Sequence, residues 1–189
     1  MKVLPLQRPG AASDGALVLQ ARDGNTDAQA ALFRRHVRRI MGLAYRLAPE
    51  EEPEDVAQDA FLKAFGSLDT LTTPSAFGGW LTAITVSLIR MRLRKRRWLR
   101  RLGLLRGQDV DPDSLVSGDA PEEVRLRVRD LYRAVQTLPE EERMALLLQR
   151  VEGLELGEIA AQMTLSIATV KRRIVAAEHA LAEVTHDDP

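Results

Sequence analysis

Residues 156–174 read LGEIAAQMTLSIATVKRRI, two short apolar-periodic runs around a turn at Met163-Thr164-Leu165, the second run carrying Lys171, Arg172 and Arg173. Guanidinium forks reach base edges in paired hydrogen bonds and ammonium groups meet phosphates as point charges, so these side chains suit reading of nucleic acid rather than bond making. In the first run Leu156, Ile159, Ala160 and Met163 share one face, and Ala160 is small where two helices would cross. Ser166 is an N-cap residue for the second run. There Val170, Ile174, Ala177 and Leu181 step by four, three and four, which turns them inward and leaves Ala168, Thr169, Arg172 and Ala176 outside. This is the sequence form of a helix-turn-helix, whose second helix enters the major groove. On that reading Arg172 and Thr169 reach base edges, Lys171 and Arg173 contact phosphates, and Ser166 and Ala168 complete the surface. A helical hairpin with a basic, solvated end has the same pattern. Thr164 stands where such turns favour glycine; its branched Cβ resists a left-handed backbone, which predicts a reshaped or strained turn.

Charge is segregated along the chain. The 189 residues hold 27 basic and 27 acidic side chains, a balance that taken whole argues against a polyanion binder. Yet residues 50–59 carry six acids and no base, residues 90–106 nine bases and no acid, and residues 107–123 six acids and no base. At a Debye length of about 8 Å each block acts locally. Arg90, Arg92, Arg94, Lys95, Arg96 and Arg97 thus form a second cationic surface, able to follow a phosphate backbone.

Other chemistries find no support. The absence of cysteine removes disulfides, thiolate metal sites and thiol nucleophiles. His36, His179 and His186 are too scattered for a ligand cluster, and His36 on an apolar helix reads as structural. No nucleophile–base pair, metal spacing or Gly-rich phosphate loop occurs, so no catalysis and no cofactor are implied. No signal peptide is evident and no apolar run nears the roughly 20 residues of a membrane span, which predicts a cytoplasmic protein without membrane insertion.

The elements that hold these groups read as helices. Leu, Ala, Arg and Glu dominate, aromatics are 4%, and alternating β-type runs are missing, which predicts an all-α fold. After a loose tail (residues 1–12), Asp14 or Ser13 caps a short helix through Arg22. A helix from Asp27 ends at Pro49. Pro53 opens an acidic helix with Ala57, Ala60, Phe61, Ala64, Phe65 and Leu68 inward and Asp55, Gln58, Asp59 and Leu62 on the opposite stripe. After a loop at 70–75, Pro74 starts a longer helix with Phe77, Leu81, Ile84, Leu88 and Met91 buried and Arg90, Arg94, Arg97 and Arg101 opposed. Helices at about 122–137 and from Leu138-Pro139-Glu140 follow; in the latter Met144, Leu147, Leu148 and Val151 point inward, and Gly153 closes it. Two small helical domains, about 13–101 and 121–185, are thereby joined by a flexible acidic linker, 102–120.

The order of these features resembles a family. A helix with Phe33 and His36, then Tyr45, then DVAQDAFLKAF (55–65), a loop, FGGWL (77–81), a basic helix, a linker, Leu138-Pro139-Glu140-Glu141 and the helix-turn-helix together resemble the extracytoplasmic-function sigma factors of bacterial RNA polymerase, over about residues 13–183. The resemblance implies that Asp55, Gln58, Asp59 and Leu62 dock on the clamp coiled-coil of the polymerase core. It implies that the 67–75 loop and the helix after it recognise and open the −10 promoter element, with one base flipped into a pocket. The helix-turn-helix would read the −35 element, and the linker would thread the polymerase and set the spacing. It implies an anti-sigma factor or similar regulator. Taken alone, the acidic stripe also fits a solvated face and the linker a simple tether. Phe77 and Trp80 read as core by their periodicity, and Trp98 either stacks on bases or anchors the linker. Where many relatives carry Asn and Asp, TVSLIRM (85–91) has Ser87 and Met91; Met91 falls on the buried stripe and would serve packing.

The alternative is a stand-alone helix-turn-helix regulator with an N-terminal sensing or dimerisation module. That would need a ligand cavity or self-complementary surface, and the sequence discloses neither.

Overall fold

The computed structural model describes residues 12–103 and 121–186, and within them every regular element is helical. Nearly all of the expected tail and of the expected linker lie outside the described residues. The long helices are α1 (Asp14–Arg22), α2 (Thr26–Leu47), α3 (Pro53–Gly66), α4 (Phe77–Arg101), α5 (Glu122–Thr137), α6 (Glu140–Arg150), α7 (Leu156–Met163) and α8 (Ile167–His186), with short 3₁₀ turns at Leu68–Thr70 and Pro74–Ala76. No helix among the described residues is long and apolar enough to cross a membrane.

Local chemistry sets the helix ends. Ser13 Oγ accepts from Ala16 N (3.2 Å) at the start of α1, and Asn25 Oδ1 accepts from Ala28 N (3.0 Å) at the start of α2. Between them Gly24 takes φ +85°, a backbone that a Cβ disfavours. Pro53 occupies the first position of α3, where its missing N–H is not needed.

The chain forms two compact units. Among the described residues one comprises 12–44 with 53–88, the other 45–52 with 89–103 and 121–186, so the division passes through α2 and α4. The first is built on Val18, Leu32, Ile40, Ala57, Ala60, Phe61, Phe77 and Leu81, each at most 3% exposed. In the second, α6, α7 and α8 pack on one another through Met144, Leu148, Ile159, Met163, Val170 and Ala177, all buried. The inward faces expected for α7 and α8 are those observed.

Two expected core positions are corrected. Met91 is 52% exposed, and Ile89 and Leu93 take the buried positions on that part of α4. A stripe stepping by three and four repeats every 3.5 residues, whereas a straight helix turns once per 3.6, so it drifts by about 20° per heptad. Phe77 and Met91 are two heptads apart, and the drift carries Met91 out. Val151 is 51% exposed because α6 ends at Arg150 and the chain turns towards Gly153 at φ +68°. The helical period no longer applies to it.

Candidate functional site

The helix-turn-helix is held by its own caps. Glu155 and Glu158 form a reciprocal capping box at the start of α7, the Glu155 N–H donating to the Glu158 carboxylate (2.8 Å). Thr164 sits in the left-handed region (φ 54°, ψ 47°), the one non-glycine with positive φ among the described residues. The Leu165 N–H closes the turn on the Ala160 carbonyl at 2.9 Å. The expected strain is therefore present, located in one exposed residue. Left-handed backbone costs a residue with a Cβ roughly 1–2 kcal/mol. Thr164→Gly should raise stability by about 1 kcal/mol in urea unfolding; a loss would show that the threonine hydroxyl, which accepts from Arg90 (3.3 Å), outweighs the strain.

On α8, Ser166 Oγ accepts from Thr169 N (3.1 Å), and Arg172 donates to Thr169 Oγ1 (3.3 Å). Ser166, Thr169 and Arg172 thus form one hydrogen-bonded chain, flanked by exposed Ala168 and Lys171. Arg173 is placed differently. Its guanidinium is paired to Glu141 (2.9 Å) and Glu142 (3.2 Å) of α6. Sequence reasoning missed Val175, which is 64% exposed and lines a shallow depression of about 430 Å³ with Lys171, Arg172, Ala176 and His179. An apolar spot among cations matches the surface that meets a thymine methyl. Its signal was available: a valine one turn beyond Lys171 and Arg172.

On α3, Asp55, Gln58, Asp59 and Leu62 are all exposed, Leu62 by 64%. They lie along one stripe, as the period requires. Beside it runs an apolar groove of about 420 Å³ between α2 and α3, lined by Phe33, Val37, Met41, Ala57, Phe61 and Phe65 with Glu54 and Gln58 on its rim. No local pattern signals the groove, because its two walls come from different helices.

The six cations of α4 divide into two sets. Arg92 pairs with Glu51 (3.1 Å), and Arg96 bonds both Glu51 (3.4 Å) and the Glu50 carbonyl (3.1 Å). Arg90 donates to the Gln162 carbonyl (3.4 Å), and Arg97, half-exposed, is 3.3 Å from Glu140. Arg94 and Lys95 point into solvent. So do Ser87 and Met91. Trp98 is 60% exposed.

Between α3 and α4, residues 67–76 bury Leu68 and Leu71 and leave Asp69, Thr70, Thr72 and Thr73 exposed. Phe77, next in the chain, is fully buried, which places it in the core as its periodicity indicates.

His36 is structural. Its Nε2 is 2.9 Å from Asp14, and its ring packs edge-on against Phe77 and beneath Gly78, where a Cβ would come within 3.3 Å. Burial lowers its pKa from the ordinary 6.5, outweighing the opposing pull of Asp14. The unfolded chain thus takes up this proton at a higher pH than the folded one. Stability is full above pH 6.5 and falls as pH drops through 6.5 towards the lowered value. His36→Gln should flatten the pH dependence of unfolding below 6.5, as read by chemical denaturation at several pH values; an unchanged dependence would assign it to other groups.

Residues 32–99 match sigma-70 region 2, and residues 129–181 match sigma-70 region 4. The ECF RNA polymerase sigma-E factor of Escherichia coli (strain K12) is 32% identical over 178 residues, covering 89% of this chain and 92% of that protein. The ECF RNA polymerase sigma factor SigE of Mycolicibacterium smegmatis is 35% identical over 147 residues, 76% of this chain and 56% of that protein. Among solved structures, CnrH in complex with the cytosolic domain of CnrY is 26% identical with a TM-score of 0.63, over 94% of this chain and 100% of that one. RpoE in complex with the anti-sigma factor NepR from Bartonella quintana is 22% identical with a TM-score of 0.66, over 85% of this chain and 98% of that one, a likeness of fold.

Proposed function

This chain belongs to the ECF sigma factors of RNA polymerase, and from that premise we propose how its surfaces divide the work of initiation. It directs core polymerase to specific promoters and performs no catalysis itself. Residues 13–101 serve core binding and the −10 element, and residues 121–185 the −35 element, with 102–120 as linker. Asp55, Gln58, Asp59 and Leu62 hold the polymerase core. Arg90, Arg92, Arg94, Lys95, Arg96 and Arg97 supply the cationic surface for the opened −10 region. Around α8, Arg172 and Thr169 read base edges, Lys171 meets phosphate, Arg173 joins it on release from Glu141 and Glu142, and Ser166 and Ala168 complete the contact. An anti-sigma factor is the regulator in keeping with this family, and the cytoplasm is where such a chain works.

The observation that carries the reading is that one chain holds both matched regions in the family's order, each with a cationic helical surface. A stand-alone regulator needs no region 2. The test is reconstitution with core polymerase and run-off transcription from a matching promoter. Arg172→Ala should then relax preference at one or two −35 base pairs by about 1–3 kcal/mol each, whereas Lys171→Ala weakens all sequences alike and lowers the salt slope by about 1. Tight promoter binding without polymerase, and no transcription with it, would overturn the reading.

A further inference from the structure

Residues 67–76 have little structure of their own. Their main-chain bonds are single turns, Thr70 N to Ser67 O (3.0 Å), Leu71 N to Leu68 O (3.2 Å) and Ala76 N to Thr73 O (2.9 Å). What crosses the segment is α1. Arg22, in the last turn of that helix and half-buried, donates from Nε (3.2 Å) and Nη2 (3.1 Å) to the Leu68 carbonyl, and from Nη2 to the Leu71 carbonyl as well. A half-buried guanidinium usually meets a carboxylate; here the hydrogen bonds among the described residues go to two main-chain oxygens 46 and 49 positions away. At its other end α1 lies directly on the segment. A Cβ on Gly15 would be 3.5 Å from Ser75 N and 3.7 Å from Ser75 Cα. Asp14 in turn ties α1 to Arg35 and His36 of α2.

We infer that α1 braces the segment that recognises the −10 element, with Arg22 as a positioning residue that fixes the Leu68 and Leu71 carbonyls and so presents Asp69, Thr70 and Thr72 in one arrangement. The inference rests on the reading above that this segment takes part in −10 recognition. Capture of a flipped base needs donors and acceptors fixed in place beforehand, since small misplacements cost much of the gain. Arg22 supplies that order from outside the segment, through a charge-assisted pair of bonds that no neutral residue reproduces.

The test is the ratio of initiation from a matched promoter to that from a −10-substituted one, measured with the full chain and core polymerase. Arg22→Ala should lower this ratio about tenfold while leaving core affinity and −35 discrimination unchanged. Arg22→Lys should restore part of it. Gly15→Val, which pushes on Ser75 with Arg22 intact, should lower it too, and Gly15→Ala, at ordinary contact distance, should not. These last two read the brace even if Arg22→Ala folds poorly. An unchanged ratio in Arg22→Ala, or a loss equal on every promoter and matched by lost core binding, overturns the inference. Asp69→Ala and Thr72→Val separate the two levels. If they lower the ratio and Arg22→Ala does not, the brace alone fails; if they too leave it intact, the reading of the segment fails and the inference with it.

Discussion

Asp59→Lys combined with Leu62→Ala should weaken binding of core polymerase by about 100-fold, roughly 3 kcal/mol, with no change in helix content. An exposed leucine by itself is ordinary. Leu62 is different because it borders the α2–α3 groove, where Phe33 is also 39% exposed. An apolar anchor beside a pocket, ringed by Glu54, Asp55, Gln58 and Asp59, is the arrangement in which one truncation removes 2 kcal/mol or more, and charge reversal sets repulsion against a basic partner. Both positions are exposed on α3, so folding should change by about 0.5 kcal/mol or less. The measurement is equilibrium binding of labelled chain to core polymerase, beside thermal unfolding of the chain alone. Unchanged binding would return the stripe to a solvated acidic face and move the docking surface elsewhere. Phe33→Ala adds a third arm: if the groove takes part in docking, its loss should not be additive with that of Leu62, since the two share one pocket.

The helices and their inward faces were legible because each is written locally. Proline at the start of α3, Ser13 and Ser166 at caps, and the four-three-four steps of Val170, Ile174, Ala177 and Leu181 need only a few neighbouring residues to be read. The same holds for the Asp55–Leu62 stripe and for the strain at Thr164, which follows from a branched Cβ in a turn. What sequence could not supply depends on partners far along the chain. Arg22 looks like a favourable charge at a helix C-terminus; its carbonyl acceptors at Leu68 and Leu71 carry no side-chain signature. Arg173 belongs to the cationic run by type, but Glu141 and Glu142 claim it in the structure. Met91 was misplaced because an ideal 3.5-residue stripe was carried two heptads along a real helix. Local order was therefore readable, and the pairing of charges was not.

That pairing decides which cations of α4 are available to DNA. Arg94→Ala with Lys95→Ala should flatten the dependence of log K for the promoter complex on log salt by roughly 1.4 to 1.8, the loss of two phosphate contacts at about 0.7–0.9 each. At a fixed moderate salt the complex should weaken by about 10- to 100-fold, a total of roughly 1.4–2.8 kcal/mol shared between the two contacts. Arg92→Ala with Arg96→Ala should do something else. Those side chains are 21% and 16% exposed and face Glu51, itself 15% exposed, so their removal strands a half-buried carboxylate. Stability should fall by about 1–3 kcal/mol, with a smaller change in the salt slope. Footprinting or filter binding of holoenzyme across a salt series, beside urea unfolding of each variant, separates the two. If instead the slope changes most in the Arg92 and Arg96 variant, the ion pairs with Glu51 must open on the promoter. The acidic turn before α3 would then be a competitor for the −10 phosphates, and Glu51→Gln should tighten the complex.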